Sequence, residues 1–325
     1  MDLKKLGDVP KSYVKEILNS LSKLDKLKKV PFFTGIHFKD TEEDLNKKID
    51  DYRKVDRESG RIWKIVELSR DDGRPQCQDY IKGIFTDFIS LSGDRLSMED
   101  QSIMAGLGKI GGRTVAIIGH NKGKDIKERI KYNFGSSIPQ GYRKSQRIMK
   151  LADRFGFPVI TFVDTPGAYA GIDAEDSGQS SAIANSIQLM FELKVPVIVV
   201  LIGEGGSGGA LALAVGNEIV MLENSTYSVI SPEACSAILW KNPSGTRLAA
   251  RALKLTSKDL LNLGIIDRII NEPIGGAQND PKRMVRIVKR YISDAVGRLG
   301  KYSSEELVIK RAEKFENMGS FMKEQ

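Results

Sequence analysis

The sequence predicts a layered α/β fold organised around one buried strand and the glycine-rich turn that follows it. Strand-like apolar runs alternate with helix-like runs between about residues 80 and 272, a pattern typical of an α/β core. Residues 195–202 are apolar, rich in β-branched side chains and too few for a buried helix, which favours a strand covered on both faces. Five glycines lie among residues 203–209, and small apolar residues at 210–215 predict a helix directly after them.

Composition narrows the functional class. The chain of 325 residues is 41% apolar and 28% charged, which is ordinary for a soluble globular protein. No apolar run approaches the roughly 18–20 residues of a membrane span, and no apolar segment follows the first lysines, so we expect a cytoplasmic protein without a secretory signal. Cys77 and Cys235 are too few for a disulfide framework or a cysteine-rich zinc site. The net charge of +8 favours acidic partners, either phosphorylated cofactors or nucleic acid.

A helical arm is predicted for residues 1–70. An apolar stripe at helical spacing runs through residues 11–30 among lysines, which indicates a helix that docks on another surface. A second amphipathic helix is predicted from Thr41, with Thr41 and Asp44 resembling an N-cap pair and Gly60 as its end. Both helices need a surface on which to bury their apolar faces.

The remaining elements follow from periodicity and from glycine and proline breaks. Helices are predicted at 80–91, 126–134, 142–155, 179–193, 232–240, 246–255, 260–263, 281–296 and 304–318. Strands are predicted at 103–110, 114–119, 159–163, 219–222, 227–231 and 265–270. The strand–turn–helix unit at 159–193 recurs at 195–216, and such an echo is typical of a spiral fold.

The glycine turn admits several functions. Backbone N–H groups are bared at the start of a helix, where the helix dipole is positive, and glycine lets a ligand approach them closely. Gly203, Gly205 and Gly208 match the spacing of a dinucleotide fingerprint. Residues 205–209 also match the G-x-S-x-G nucleophile elbow around Ser207. An oxyanion hole made of backbone amides alone is a third interpretation, and close helix–strand packing without any ligand is a fourth.

Other parts of the chain weigh against two of these interpretations. Both histidines, His37 and His120, precede Ser207, whereas an α/β-hydrolase places its histidine after the serine. A dinucleotide fingerprint usually opens its domain, but about 130 residues of sheet-forming sequence precede this one. Residues 164–167 copy a GTPase D-x-x-G element, yet Gly119 to Lys124 is one residue too short for a P-loop and lacks its Ser or Thr.

The stretch Lys122–Lys144 is basic and punctuated by glycine. The irregular, aromatic segments N-F-G at 133–135 and Q-G-Y at 140–142 favour a loop that contacts a substrate or partner. The alternative is a solvated basic helix, and a non-catalytic, nucleic-acid-binding scaffold is the corresponding functional hypothesis.

Several long motifs together resemble one family. They are H-N-K-G-K-D-I-K-E-R-I-K-Y-N-F-G (120–135), G-Y-R-K-S (141–145), F-V-D-T-P-G-A-Y (162–169), I-G-E-G-G-S-G-G-A-L-A-L (202–213), Y-S-V-I-S-P-E-A-C (227–235) and I-L-W-K (238–241). In this order and without gaps they resemble the carboxyltransferase alpha subunits of multi-subunit acetyl-CoA carboxylase. The resemblance runs from about residue 74 to residue 276 and is weaker in the arm and tail.

The resemblance implies a crotonase/ClpP-like spiral of ββα units, with an N-terminal helical arm (1–39), a carboxyltransferase domain (40–295) and a C-terminal helical tail (296–325). It implies transfer of a carboxyl group from carboxybiotin, on the biotin carboxyl carrier protein, to acetyl-CoA, which gives malonyl-CoA for fatty-acid synthesis. No cofactor would be bound covalently. The implied partners are a beta subunit that carries zinc and mainly holds the CoA thioester, in an α2β2 assembly, and biotin carboxylase in the larger complex.

The resemblance also implies the site residues. The oxyanion amides map to Gly208 and Gly209, and no metal is expected in this chain. The expected substrate-binding residues are Gly205, Gly206, Gly167, Ala168, Tyr169, Lys122 and Arg143.

The chain departs from the family pattern at a few positions near these motifs. Ala170 stands where the family usually has Pro, Asp173 where it has Gly, Ser177 where it has Arg, and Gln278 where it has His. These changes bear on contacts with the partner or the biotin carrier, whereas the glycine turn is intact.

Overall fold

The computed structural model describes residues 39–241 and 245–319, together with residue 19 and residues 22–23. The described residues divide into two units, one of 39–64 with 230–241 and 245–254, the other of 65–229 with 255–319. The apolar stripe of the predicted helix over 11–30 lies outside the described residues.

The larger unit is built on a mixed sheet. Within the described residues its strands are β1 (Thr86–Ser90), β2 (Ile103–Ile110), β3 (Arg113–His120), β4 (Val159–Thr165), β5 (Val197–Gly206), β6 (Glu218–Leu222), β7 (Thr226–Ser228) and β8 (Arg268–Ile270). They are arranged in the order β1-β2-β3-β4-β5-β6-β8, and β7 pairs with the end of β5. β1, β2 and β3 are antiparallel, and every pairing from β3 onward is parallel.

Helices precede the sheet, connect its strands and follow it. Those of the larger unit are α2 (Cys77–Ile84), α3 (Ile126–Lys131), α4 (Pro139–Phe155), α5 (Ile172–Asp176), α6 (Gln179–Glu192), α7 (Ser207–Leu211), α10 (Ser257–Asn262), α11 (Pro281–Leu299) and α12 (Ser304–Glu316). The smaller unit holds α8 (Pro232–Trp240) and α9 (Thr246–Ala252), and the residues of α1 (Lys39–Ser69) are divided between the two units at Lys64 and Ile65. None of the helices described is long and apolar enough to cross a membrane.

Strand β5 separates two hydrophobic cores. Ile198, Val200 and Ile202 face one buried cluster, whereas the intervening Val197, Val199 and Leu201 face another. A period of two with both faces buried is what a strand covered by helices on both sides requires. This confirms the strand predicted from the apolar run.

Several local predictions are confirmed. Strands β2 and β3 pair as predicted across Gly111 and Gly112, both of which have positive φ. Helix α4 ends at Gly156, whose φ of 70° is the left-handed C-cap conformation expected of glycine there. Helix α8 has the predicted bounds.

Other boundaries were wrong because tertiary contacts override local preference. Gly60 does not end α1, since one glycine costs a helix only about 1 kcal/mol and the chain beyond it buries Val66. The helix predicted over 80–91 stops at Ile84, because Thr86–Ser90 pairs with β2 instead. The strands predicted at 227–231 and 265–270 are observed as three-residue strands, because the neighbouring strands pair with no more of their residues.

The glycine segment itself also differs from the prediction. Gly203–Gly206 continue strand β5, paired with β7, and the helix begins at Ser207 rather than at Ala210. The residues predicted to form most of that helix, 212–215, are buried in a turn after α7. The bared amides therefore lie nearer the strand than the sequence predicted.

Candidate active site

The amides of the glycine segment lie at the carboxyl end of β5. Helix α7 begins at Ser207, with Gly206 as its N-cap. The N–H groups of Ser207, Gly208 and Gly209 therefore belong to the first turn, where a helix offers them no backbone acceptor. Gly206 provides no side-chain cap. Ser207 is exposed, Gly208 is half-buried and Gly209 is buried, so exposure decreases along the first three residues of the helix.

A second loop, at the carboxyl end of the neighbouring parallel strand β4, packs against this turn. Thr165 pairs with Gly205, and the loop continues through Gly167, whose φ is 150°. A Cβ atom on Gly209 would lie 2.6 Å from the carbonyl carbon of Gly167, too close for any other residue. Glycine is therefore required at 209 by the approach of two backbones, and Gly167 and Ala168 lie directly beside the predicted oxyanion amides.

Buried polar side chains lie beneath the two loops. Burial lowers the pKa of His120 to about 3, so its imidazole is neutral, and its Nδ1 accepts a long hydrogen bond of 3.4 Å from the Asp164 amide. The hydroxyl of the fully buried Tyr142 lies 3.1 Å from where a Cβ of Gly209 would be. Both side chains are buried, so this side of the turn is shielded from solvent.

A network of charged side chains joins the carboxyl ends of β4 and β5 to the segment after β3. The ammonium of Lys122 contacts Asp164 Oδ1 at 2.7 Å and Glu204 Oε2 at 2.9 Å, and Arg70 Nε contacts Glu204 Oε1 at 2.6 Å. Burial alone would raise the pKa of Glu204, but the two cations outweigh it and lower that pKa. Burial would likewise lower the pKa of Lys122, yet the two carboxylates raise it. Lys122 and Glu204 therefore stay charged near neutral pH.

A cleft of about 190 Å³ opens beside this network. Its walls carry opposite charges in similar number, with Phe134 and Pro166 as apolar patches. The lining residues are Ser69, Arg70, Asp71, Asp72, Arg74, Gln76, Lys122, Arg129, Phe134, Asp164, Pro166 and Glu204. Phe134 has a φ of 54°, a conformation that costs a non-glycine residue energy and is common at functional sites.

The structure does not bring all of the sequence-predicted residues together. Lys122 lines the cleft, and Gly205, Gly206, Gly167 and Ala168 lie at the two loops. Two hydrogen bonds hold the backbone of Tyr169. Its N–H donates to the Ser137 carbonyl, and its carbonyl accepts from the side-chain Nε2 of Gln179. Arg143 does not line the cleft.

The side chain of Arg143 is instead held in the protein. It donates to Asp94 Oδ2 at 2.9 Å and to the Ser177 carbonyl at 3.2 Å. Burial alone would raise the pKa of Asp94, but the amides of Ser97 and Leu96 and the Arg143 guanidinium lower it to about 2. Arg143 therefore orders the loop after β1 and the segment that follows α5.

Ion pairs neutralise much of the basic stretch that suggested nucleic-acid binding. Besides Lys122, Lys124 pairs with Asp79 at 2.5 Å, Arg129 with Asp72 at 2.6 Å, and the buried Lys144 with Glu99. Because these cations already have carboxylate partners, the stretch is not the continuous cationic surface that backbone phosphates require.

Sequence reasoning missed Asp164, Glu204 and Arg70 as parts of the site. A signal for the first two was present, since each lies at the end of a predicted buried strand, and the carboxyl ends of neighbouring parallel strands meet at one edge. Arg70 had no comparable signal.

The geometry around Ser207 resembles a nucleophile elbow only in part. Ser207 has a φ of 51° between a strand and a helix, as such a nucleophile does. However, His120 is the only histidine in the described part of the chain, and it is buried with its Nδ1 directed to the Asp164 amide. No imidazole from the described residues is thus in place to activate the hydroxyl.

Comparison with known proteins identifies the family. Residues 11–319 match the family model described as acetyl co-enzyme A carboxylase carboxyltransferase-like. The chain belongs to this family. The acetyl-coenzyme A carboxylase carboxyl transferase subunit alpha of Bordetella avium is 52% identical over 259 residues, which are 80% of this chain and 81% of that protein. A subunit of the same name from Thermus thermophilus is 46% identical over 313 residues, 96% of this chain and 99% of that one.

Solved structures agree on the fold. Transcarboxylase 12S with methylmalonyl-coenzyme A and methylmalonic acid bound superposes with a TM-score of 0.59 at 16% identity, covering 74% of this chain and 44% of that one. A Pseudomonas malonate decarboxylase hetero-tetramer in complex with malonate gives 0.53 at 15% identity, covering 65% and 83%. The chain spans less than half of the transcarboxylase chain that it matches. The crotonase-like α/β fold expected from the resemblance is confirmed, and so is the carboxyltransferase family.

Three of the four departures named above follow the second loop along the chain, whereas Gln278 is half-buried in the loop after β8. Ala170, Asp173 and Ser177 are exposed, and Ser177 Oγ donates to the carbonyl of Asp173 at 2.7 Å.

Proposed function

We propose that this chain is the alpha subunit of an acetyl-CoA carboxylase carboxyltransferase and that it supplies an oxyanion hole from the amides of Gly208 and Gly209. The observation that carries this proposal is the row of N–H groups without intrahelical acceptors at the start of α7. The burial of Tyr142 and His120 beside the turn supports the proposal, because donors shielded from water stabilise developing negative charge most strongly.

The reaction places two oxyanions where such donors are useful. The substrates are acetyl-CoA and the carboxylated biotin of a carrier protein, which supplies an activated carboxyl group. The C–N bond to that carboxyl breaks, and its carbon bonds to the methyl carbon of the acetyl thioester. The methyl proton passes to the biotin ureido group, so that no histidine base of this chain is needed.

In this chain, the Gly208 and Gly209 amides donate hydrogen bonds to the oxygen that becomes negative as one of the two substrates reacts. Gly205 and Gly206 allow the backbone to pack closely, since a Cβ on Gly206 would overlap the Pro166 carbonyl oxygen and one on Gly205 would lie 2.7 Å from Leu201 Cδ2. Gly167 and Ala168 form the opposite wall. Lys122 holds Glu204 and Asp164 at the rim. Because the Lys122 ammonium is already paired with these two carboxylates, its role is to order the rim rather than to bind the substrate by charge.

We further propose that a zinc-carrying beta subunit completes the site in an α2β2 assembly in the cytoplasm, with the biotin carboxyl carrier protein and biotin carboxylase as further partners. The names of the relatives, which designate an alpha subunit, support this. The proposal also includes the division into an arm (1–39), a carboxyltransferase domain (40–295) and a tail (296–325).

The function is tested by reconstitution. We expect the purified chain alone to show no biotin-dependent decarboxylation of malonyl-CoA, because half of the site belongs to the partner, and we expect turnover after addition of the beta subunit of a close relative. The assay is loss of malonyl-CoA with and without biotin. Full turnover by the lone chain would refute the two-subunit site, and no turnover in an assembled complex would refute the function.

Ser207→Ala should retain most of the activity of the reconstituted complex, within a few-fold of wild type. The serine hydroxyl has no imidazole among the described residues to activate it, and alanine tolerates the left-handed backbone about as well as serine does. The measurement is the kcat of malonyl-CoA decarboxylation. A loss of about 10⁴-fold or more, as on removal of a catalytic nucleophile, would instead support the hydrolase interpretation.

A further inference from the structure

Strand β5 contains a bulge just before the glycine turn. Its register with β4 runs evenly up to the pair Val163 and Leu201, and resumes at Thr165 and Gly205. Asp164 alone therefore faces residues 202–204. Bulges of this kind bend a strand and redirect the residues beyond the bend, and they are frequent beside active sites.

Two side chains satisfy the backbone groups that the bulge leaves without strand partners. The Glu204 amide donates to Asp164 Oδ1 at 3.0 Å. The Ile202 carbonyl accepts from the guanidinium of the buried Arg74, at 2.9 Å from Nη2. Since buried backbone groups are costly when unpaired, both bonds stabilise the bulge in one conformation.

Asp164 also fits the bulge sterically and electrostatically. A Cβ atom on Gly203 would lie 2.7 Å from Asp164 Cγ, so the carboxylate rests directly on the glycine backbone. Oδ1 at the same time contacts the Lys122 ammonium, which in turn contacts Glu204. One carboxylate thus joins the ends of β4 and β5 and the segment after β3.

We propose that Asp164 is a positioning residue whose carboxylate sets the conformation of the bulge and thereby the location of the Gly208 and Gly209 amides. Gly208 follows Glu204 closely along the chain, and the intervening Gly205 and Gly206 belong to strand β5, where they pair with Tyr227 and Ser228 of β7. The strand therefore joins the bulge directly to the start of α7, so that a shift of the backbone at Glu204 reaches the amides. The inference rests on the proposed oxyanion role of those amides. A misplacement of about 1 Å costs an enzyme on the order of 10²-fold in rate.

The test uses the reconstituted complex with Asp164→Ala and Asp164→Asn. We expect Asp164→Ala to lower kcat by about 10²-fold while the KM for malonyl-CoA changes little, because the amides act on the reacting oxygen rather than on the body of the substrate. Asp164→Asn should retain much more activity, with a loss of about 3–10-fold. Its amide oxygen can still accept from the backbone N–H of Glu204, and the Lys122 ammonium keeps the Glu204 carboxylate as its partner.

Asp267→Ala is the matched control. Asp267 likewise accepts a strand amide, Ile219 N–H, at 2.7 Å and pairs with a lysine, Lys314, at 2.5 Å. However, Asp267 directly precedes β8 and its carboxylate contacts the beginning of β6, so it lies at the opposite edge of the sheet. We expect Asp267→Ala to lower Tm without changing the kcat of the assembled complex. Equal kcat losses in the Asp164 and Asp267 alanine variants, in proportion to Tm, would overturn the positioning role.

The outcomes separate this inference from the proposed function. Should Asp164→Ala not assemble, Asp164→Asn decides: a lower kcat at unchanged KM and Tm supports positioning, and an unchanged kcat overturns it. If Gly208→Val lowers turnover while both Asp164 variants keep wild-type kcat, the oxyanion site stands and the inference about Asp164 is wrong. If Gly208→Val keeps full turnover, the oxyanion role fails and the positioning role fails with it.

Discussion

Replacing Gly208 by valine is expected to lower carboxyl transfer by about 10²–10³-fold while the complex still folds and assembles. Loss of one oxyanion donor costs an enzyme on that order, and a branched side chain at 208 would deny an oxygen access to the neighbouring amides. Gly208 is half-buried with φ outside the left-handed region, and its Cβ would lie 3.5 Å from Ile183 Cγ2, an ordinary contact.

Gly209 is the less informative position, although its amide belongs to the same proposed site. Any side chain there would strike the Gly167–Ala168 backbone, so stability and activity would fall together. Gly208 separates the two effects because its surroundings leave space for a side chain.

The measurements for Gly208→Val are turnover, Tm and association with the beta subunit. Gly297→Val is the control, since Gly297 lies within helix α11 with no atom within 4 Å of its Cβ position, and it should leave all three unchanged. An assembled Gly208→Val complex with near-normal turnover would contradict the oxyanion assignment. A parallel fall of turnover, Tm and assembly would instead indicate that Gly208 only serves packing.

Replacing Arg311 by methionine is expected to lower the free energy of unfolding by about 3–5 kcal/mol. The side chain of Arg311 on α12 is fully buried and donates to the carbonyls of Met190, Phe191, Leu193 and Val195. Methionine would fill much of the space but leave these buried acceptors unpaired.

The charge of Arg311 has no carboxylate within hydrogen-bonding distance among the described residues. Burial lowers its pKa to about 10, so the guanidinium remains protonated at neutral pH. Two of its acceptors lie in the last turn of α6, where the helix dipole favours a cation. The guanidinium also donates to Asn217 Oδ1 at 2.6 Å, which ties α12 to the turn before β6.

Denaturant unfolding of the purified chain measures this prediction. Arg311→Lys should recover only part of the loss, because an ammonium cannot reproduce the planar fork of donors. The neighbouring Lys310 is exposed, so Lys310→Met should change the free energy of unfolding by no more than about 0.5 kcal/mol. A loss below about 1 kcal/mol for Arg311→Met would contradict the assigned role.

Local sequence signals were sufficient to predict the fold class, the central strand, the place of the glycine turn and the family. The apolar run fixes β5, Gly156 ends α4 because a left-handed residue is needed there, and the long motifs identify a carboxyltransferase. Each signal is contained within a few consecutive residues, so it can be recognised without knowledge of the elements that pack against it.

The start of α7, the bulge in β5 and the partners of the charged residues became clear only from the folded chain. Lys122, Asp164 and Glu204 are about 40 residues apart in succession, and Arg311 lies more than 100 residues from the carbonyls that it binds. No periodicity encodes such pairings, because many lysines and carboxylates are equally available along the chain. The register of neighbouring strands selects among them, and that register is set by the packing of the whole core.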